Sequence, residues 1–168
     1  MVYPTESVFG IGCLALDQNA LKRLRHVKRR EAHKGFIVLC ASFEQMLSSF
    51  PEICLSAEQK ALLKAKQGHP TTWLIPYPKN KAALILGNNH KLAIRITDHP
   101  IAKKLCEECG PIVSSSANPA GVKTPSSLLK IRHLFQSQVD FYLNEKLGGV
   151  KKTSQIIDLV NGEVIRAA

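Results

Sequence analysis

Short apolar runs alternate with stretches of helical periodicity along this chain, and that alternation restricts its fold more than any single motif does. Residues 36–40 form a continuous apolar run bounded by Gly35, the pattern of a strand buried on both faces. Before it, Asp17 stands where a helix cap belongs, and Ala20, Leu21, Leu24 and Val27 follow the helical period. Ser42 with Gln45, and Ser56 with Gln59, have the spacing of capping boxes. Residues 71–76 and 92–97 predict further strands, and residues 1–4 the stub of another. Asp98 is placed to cap a helix that ends at Gly110, and Thr124-Pro125 to open the next one. Asn161-Gly162 between two apolar runs predicts a closing hairpin. The expected fold is α/β: one domain over residues 1–168, with flanking helices and a twisted sheet of mixed parallel and antiparallel strands. Its parallel crossovers are expected early and its antiparallel hairpin last.

Length and charge narrow the class. A chain of 168 residues is long enough to bury a core, and no apolar run approaches a membrane span. No basic-then-apolar leader precedes the fold, so a cytoplasmic location is expected. The net charge of +10 implies a polyanionic partner or a lysine-rich solvated surface. Five scattered cysteines suit reduced thiols, and Cys106-Glu-Glu-Cys109 has no second pair with which to build a zinc site. We read that pair as incidental.

Chemistry concentrates in three segments. Residues 111–121 run from an apolar strand into Ser114, Ser115, Ser116 and Asn118, then into the breakers Pro119 and Gly121. Hydroxyls and an amide crowded at the carboxyl end of a buried strand suit an anionic ligand, although loops of this kind also serve as plain turns. Thr5 and Glu6 follow the first strand in the same way. Lys28, Arg30 and Lys34 follow a helix, where cations complement the negative end of its dipole. In an extended segment Lys28 and Arg30 would instead project to one side, and Arg30 would grip a phosphate or carboxylate by two parallel hydrogen bonds. The chain has no Walker lysine loop, no Gly-x-Gly-x-x-Gly fingerprint and no His-Glu-x-x-His.

The ordered set of these signatures resembles the YrdC-type threonylcarbamoyl-adenylate synthases, in their single-domain form, from end to end. It comprises Pro4-Thr5-Glu6 through Phe9-Gly10 and Gly12, Lys28-x-Arg30, Lys34-Gly35, and Arg95 ahead of His99-Pro100. Ser114-x-Ser116-Ala117-Asn118 with Gly121, Ser154 and Arg166 complete it. The resemblance implies an enzyme that joins L-threonine, bicarbonate and ATP to give threonylcarbamoyl-AMP and pyrophosphate. The product would serve a downstream transferase that modifies tRNA adenosine. It further implies that Lys28, Arg30, Asn118, Ser126 and Arg166 hold ATP, with Lys28 and Arg30 catalytic. Thr5, Lys34, Arg95, Ser116 and Ser154 would surround threonine or its carbamate. Magnesium would arrive with ATP, Glu6 is the acidic residue considered as its ligand, and no prosthetic group is expected. Arg95 has a plainer reading as a solvent-facing residue of a half-exposed strand.

The chain departs from the family's pattern at three points. It opens three residues before Pro4, it reads Gly68-His69-Pro70-Thr71-Thr72 where Pro-Gly-Pro-x-Thr is usual, and Glu31 follows Arg30 in place of proline. A two-residue hairpin register also sets Arg166 opposite Ile157, on the face away from Ser154. The competing reading is a non-catalytic RNA-binding module of the same fold. Sparse aromatic residues, and no stacking-type strand motif, count against it.

Overall fold

Alternating burial along a row of short strands produces a sheet with two unlike faces. The computed structural model describes residues 1–150 and 153–167. Among them the strands are β1 (Val2–Pro4), β2 (Phe9–Leu14), β3 (Ile37–Cys40), β4 (Thr71–Pro76), β5 (Lys91–Ile96), β6 (Ile112–Ser116), β7 (Gln155–Asp158) and β8 (Val164–Arg166). The helices are α1 (Gln18–Val27), α2 (Phe43–Ser49), α3 (Ala57–Lys64), α4 (Lys79–Leu86), α5 (Pro100–Cys109) and α6 (Leu128–Phe135). The strands form one sheet in the order β1-β2-β6-β3-β5-β4-β7-β8. The mixed sheet is as expected, but its parallel pairs are β3/β5 and β4/β7, whereas the earliest contact, β1/β2, is antiparallel.

On one face Ile11, Val38, Trp73, Ile94 and Val113 meet Leu21 and Leu24 of α1, Met46 of α2 and Ile131 of α6 in the main core. Val38 and Ile94 are fully buried, each contributing about 1.5–3 kcal/mol of apolar transfer energy. On the other face α5 packs, and Ala102 and Cys106 cover Tyr3, Leu39, Ala41 and Ile112. The rest of that face carries Ile37, Leu74 and Ile156 among small and polar side chains. Gly12 is opposite Ser114, Gly10 opposite Ser116, and Ile37 opposite both Ser114 and Ala93. Glycines and serines give β2 and β6 little side-chain bulk here, and a concavity remains.

Several local expectations are corrected. His99, not Asp98, caps α5, accepting from the Ala102 amide at 3.5 Å, because Pro100 forces the residue before it into extended backbone. Ser56 and Gln59 form the full capping box, but Gln45 turns away from Ser42 to the Ala41 amide and the Cys106 carbonyl. The helix expected at Thr124 starts at Leu128, since the Thr124 hydroxyl donates to Asn118 Oδ1 at 2.8 Å and stays in the loop. Strand β2 and helix α4 were not anticipated: Gly10 and Gly12 weaken the strand pattern, and α4 begins without a side-chain cap. In the final hairpin Arg166 is opposite Ile156, not Ile157, because the register shifts between Ile156 and Ile157.

Candidate functional site

The concave face holds a cavity of about 250 Å³ whose walls come from segments spread along the chain, Gly10 of β2 and Ile37 of β3 among them. Thr5 and Ser7 enter from the β1–β2 turn, Arg30 from beyond α1, Arg95 from β5, and Ser114, Ser115 and Ser116 from β6. Thr153 and Ser154 precede β7, and Arg166 ends β8. Glycine is required alongside. A Cβ on Gly12 would lie 2.1 Å from the Val113 carbonyl, and one on Gly10 would press at 3.2 Å on Ser114, Thr5 and Tyr3. Among the described residues, three arginines and seven hydroxyl side chains line the hollow, with no carboxylate, histidine or cysteine.

Each arginine is held from behind. Arg30 donates from Nε at 3.1 Å, and from Nη2, to the Gly35 carbonyl, and its guanidinium lies 4.8 Å from the centre of the Phe36 ring. Arg166 donates to the Ser154 carbonyl from Nε at 3.1 Å and Nη2 at 2.6 Å, and Nη2 also reaches Ser154 Oγ at 3.2 Å. The register shift makes this possible, placing Arg166 on the Ser154 face. Ser154 Oγ is in turn 2.9 Å from Thr72 Oγ1, and Thr72 is fully buried. Arg95 is buried against Glu6, with Nη2 3.3 Å from Oε2, while among the described residues its Nε has no hydrogen-bond partner. A buried, unpartnered guanidinium N–H beside a cavity is a vacant donor for an anion. Burial lowers the pKa of Arg30 and Arg166, helped by Arg25 and Arg95 respectively, yet arginine remains charged at neutral pH.

Of the residues singled out from the sequence, Thr5, Arg30, Arg95, Ser116, Ser154 and Arg166 converge on this hollow. Arg95 does not face solvent. Lys28 and Arg30 do not project together, because the segment is a helix-closing turn and not an extended strand. Arg29 takes φ +49°, its amide bonding to His26 O and that of Arg30 to Arg25 O, a Schellman closure with arginine where glycine is usual. Lys28 therefore turns inward to the Ser116 and Asn118 carbonyls. The Asn118 side chain is engaged inside its own loop, donating to the Val122 carbonyl at 2.6 Å. Lys34 pairs with Glu31 at 3.1 Å and lines a neighbouring cavity of about 680 Å³, which shares Arg30 and Arg166 with the first. Ser126 is exposed ahead of α6. Glu6 is not a free ligand for magnesium: its Oε1 accepts from Thr97 Oγ1 at 2.7 Å and its Oε2 faces Arg95. Among the described residues no group of three or more His, Cys, Asp or Glu is arranged to hold a metal. Sequence reading missed Ser7, Thr72 and Thr97. Thr72 left a trace, as one of the two threonines that open the otherwise apolar β4.

The whole chain, residues 1–168, matches the Sua5/YciO/YrdC family, described as "Telomere recombination". It is 40% identical over 171 residues to the threonylcarbamoyl-AMP synthase of Stutzerimonas stutzeri, covering all of this chain and 90% of that protein. The threonylcarbamoyl-AMP synthase of Pseudomonas aeruginosa strain UCBPP-PA14 is 37% identical with the same coverage. Among solved structures, the crystal structure of P. abyssi Sua5 complexed with L-threonine superposes with a TM-score of 0.84 at 31% identity. The match takes in 97% of this chain but only 48% of that one, so this chain spans about half of the Sua5 polypeptide. Full-length coverage by one family, and a shared fold at this identity, give a single assignment: the chain belongs to the Sua5/YciO/YrdC family.

Proposed function

We propose that this chain is a threonylcarbamoyl-AMP synthase, joining L-threonine, bicarbonate and ATP in the arginine- and hydroxyl-lined hollow. The reaction is a nucleotidyl transfer in two bond-forming stages. The free amine of threonine takes up bicarbonate with loss of water, giving an N-carbamate. A carbamate oxygen then attacks the α-phosphorus of ATP, and pyrophosphate leaves with the electrons of the broken P–O bond. Both stages bring anion to anion. The protein's task is to neutralise charge and align the reactants, which three guanidiniums and a ring of hydroxyls suit and which needs no protein nucleophile. The observation that carries the reading is a hollow lined by Arg30, Arg95 and Arg166 with no carboxylate on its wall among the described residues.

In this reading Arg95, through its vacant Nε, takes the threonine carboxylate, and Thr5, Ser116 and Ser154 surround the amino acid and its carbamate. A nucleoside triphosphate outgrows about 250 Å³ and extends past Arg30 and Arg166 into the adjoining cavity, where Lys34 stands. The loop carrying Asn118, and Ser126 beyond it, border the nucleotide. Magnesium enters on the ATP phosphates as part of the substrate. The product passes to a tRNA-modifying transferase. No helix among the described residues is long and apolar enough to cross a membrane, and we place the reaction in the cytoplasm.

The test is pyrophosphate release with each substrate omitted in turn. Release is expected only when threonine, bicarbonate and MgATP are all present. Release that persists without threonine removes the proposed substrate. Arg30→Ala is expected to cut turnover by about 100-fold while the protein stays folded. An RNA-binding module would instead show steeply salt-dependent RNA affinity and no such release.

A further inference from the structure

Two threonines open β4, and both tie it to the segment that enters β7, but their hydroxyls are bonded differently. Thr71 Oγ1 accepts from Gln155 Nε2 at 2.7 Å and donates to the His69 carbonyl at 2.9 Å, so its proton is used. Thr72 Oγ1 lies 2.9 Å from Ser154 Oγ, and among the described residues it has no other hydrogen-bond partner. Thr72 is fully buried, on the face of β4 opposite to Trp73 and the main core. A hydroxyl carries one proton and can accept twice. If Ser154 donated to Thr72, the Thr72 proton would be left in the interior without an acceptor, at the cost of its desolvation. The pair is therefore polarised one way: Thr72 donates and Ser154 accepts. Ser154 Oγ also accepts from Arg166 Nη2 at 3.2 Å, and a guanidinium cannot accept in return. Both lone pairs of Ser154 are then occupied and its own proton is left over. Ser154 is 4% exposed and lines the hollow, which is where that proton can meet an acceptor.

We propose that Thr72 is a positioning residue: it fixes Ser154 as a hydrogen-bond donor aimed into the hollow at an anionic oxygen of the amino-acid substrate. That oxygen belongs to the carboxylate or to the carbamate formed on the amine. An amine or amide N–H brought to the same place would meet a proton and find no lone pair. The two bonds that Ser154 accepts also polarise its O–H and strengthen the one it donates. The identity of the acceptor rests on the reading of the hollow as the threonine site. The direction of the Thr72–Ser154 bond does not.

Neutron diffraction from ligand-free crystals of the perdeuterated protein reads the direction of the bond. The deuteron shared by the pair should lie on Thr72, and that of Ser154 should point into the hollow. A deuteron running from Ser154 to Thr72 overturns the proposal. Thr72→Val keeps the shape of the side chain and removes its hydroxyl. If the acceptor is the carboxylate, this variant should bind L-threonine about fivefold more weakly without bicarbonate or nucleotide. If it is the carbamate, that affinity is unchanged and kcat falls by about fivefold at saturating threonine. ATP affinity measured without threonine should stay within about twofold, since Arg166 keeps its two bonds to the Ser154 carbonyl. Thr72→Ser should restore whichever quantity is lost. Thr71→Val cuts the neighbouring tie between the same strands and should reproduce neither loss. No change in a folded Thr72→Val, or an equal loss in Thr71→Val, overturns the proposal. If Thr72→Val does not fold, the neutron map of the wild-type protein decides. That map is read without substrate, so a negative pyrophosphate assay would remove the threonine reading and leave the polarity of the bond standing.

Discussion

Arg95 is a β5 side chain that the alternation of an exposed strand would send into water, yet it is buried against Glu6. Its loss has two consequences that can be separated. Arg95→Ala removes a cation from the hollow and leaves a buried carboxylate without its counter-charge, a change that typically costs about 3–5 kcal/mol. The expected result is a lower denaturant midpoint together with loss of threonine-dependent turnover. Adding Glu6→Gln to Arg95→Ala should recover much of the stability and none of the activity. Titration at Lys28 gives a second prediction. Burial, aided by Arg30, pushes its ammonium down to about 8 from 10.5. Between those values the unfolded chain holds a proton that the folded chain has released, so stability rises with pH. Burial has the opposite effect on the thiols of Cys40 and Cys106, each pushed up to about 12 from 9.0. Above 9.0 the unfolded thiols lose protons that the folded ones keep, and stability falls. Chemical denaturation followed across alkaline pH should therefore show a maximum at about pH 9, and Lys28→Met should abolish the rising limb alone. Which residue types gather at the site was legible in the sequence. Which way Lys28 and Asn118 point was not, because a Schellman turn and an internally bonded loop fix those directions.

The elements were legible where one period dominates. The apolar run of β3 and the amphipathic α1 are where periodicity puts them. Strand β2 escaped because its glycines, needed for close approach to Tyr3 and Val113, remove the alternation that marks a strand. The last hairpin is the most instructive miss. Asn-Gly suggests a two-residue turn, but the chain uses a longer one, with the Asp158 amide bonding to Glu163 O at 2.9 Å and the Gly162 amide to Asp158 O at 2.9 Å. Asp158, buried and paired with Lys91, secures that turn through the Val160 amide at 3.0 Å. The added length is what turns Arg166 toward Ser154. Deleting Val160 should move the pairing by one position and carry Arg166 to the opposite face. ATP affinity, measured by calorimetry, is expected to fall by about tenfold or more, while the far-ultraviolet circular dichroism is unchanged.

At the scale of the molecule the hollow ties together strands that do not neighbour one another. Thr5 lies beyond β1 at one end of the strand order, and Arg166 ends β8 at the other. A ligand bridging these walls should stabilise the fold as a whole. Saturation at 100 times the dissociation constant adds about 2.7 kcal/mol against unfolding, seen as a rise in melting temperature. Amide exchange should slow together in the Thr5 turn and in the β7–β8 hairpin when threonine and a non-hydrolysable ATP analogue are bound. Slowing restricted to one of the two would mean that the ligands occupy only half of the cavity.

The placement of Ser154 and Arg166 also bears on how the molecule is made. Every other cavity residue precedes them in the chain, so a ribosome can release most of the sheet before these two emerge. Nascent protein arrested short of Arg166 would hold Thr5, Arg30 and Arg95 but lack the cation opposite them. On the proposed reading, in which Arg166 holds nucleotide, ATP capture waits until translation has passed this residue.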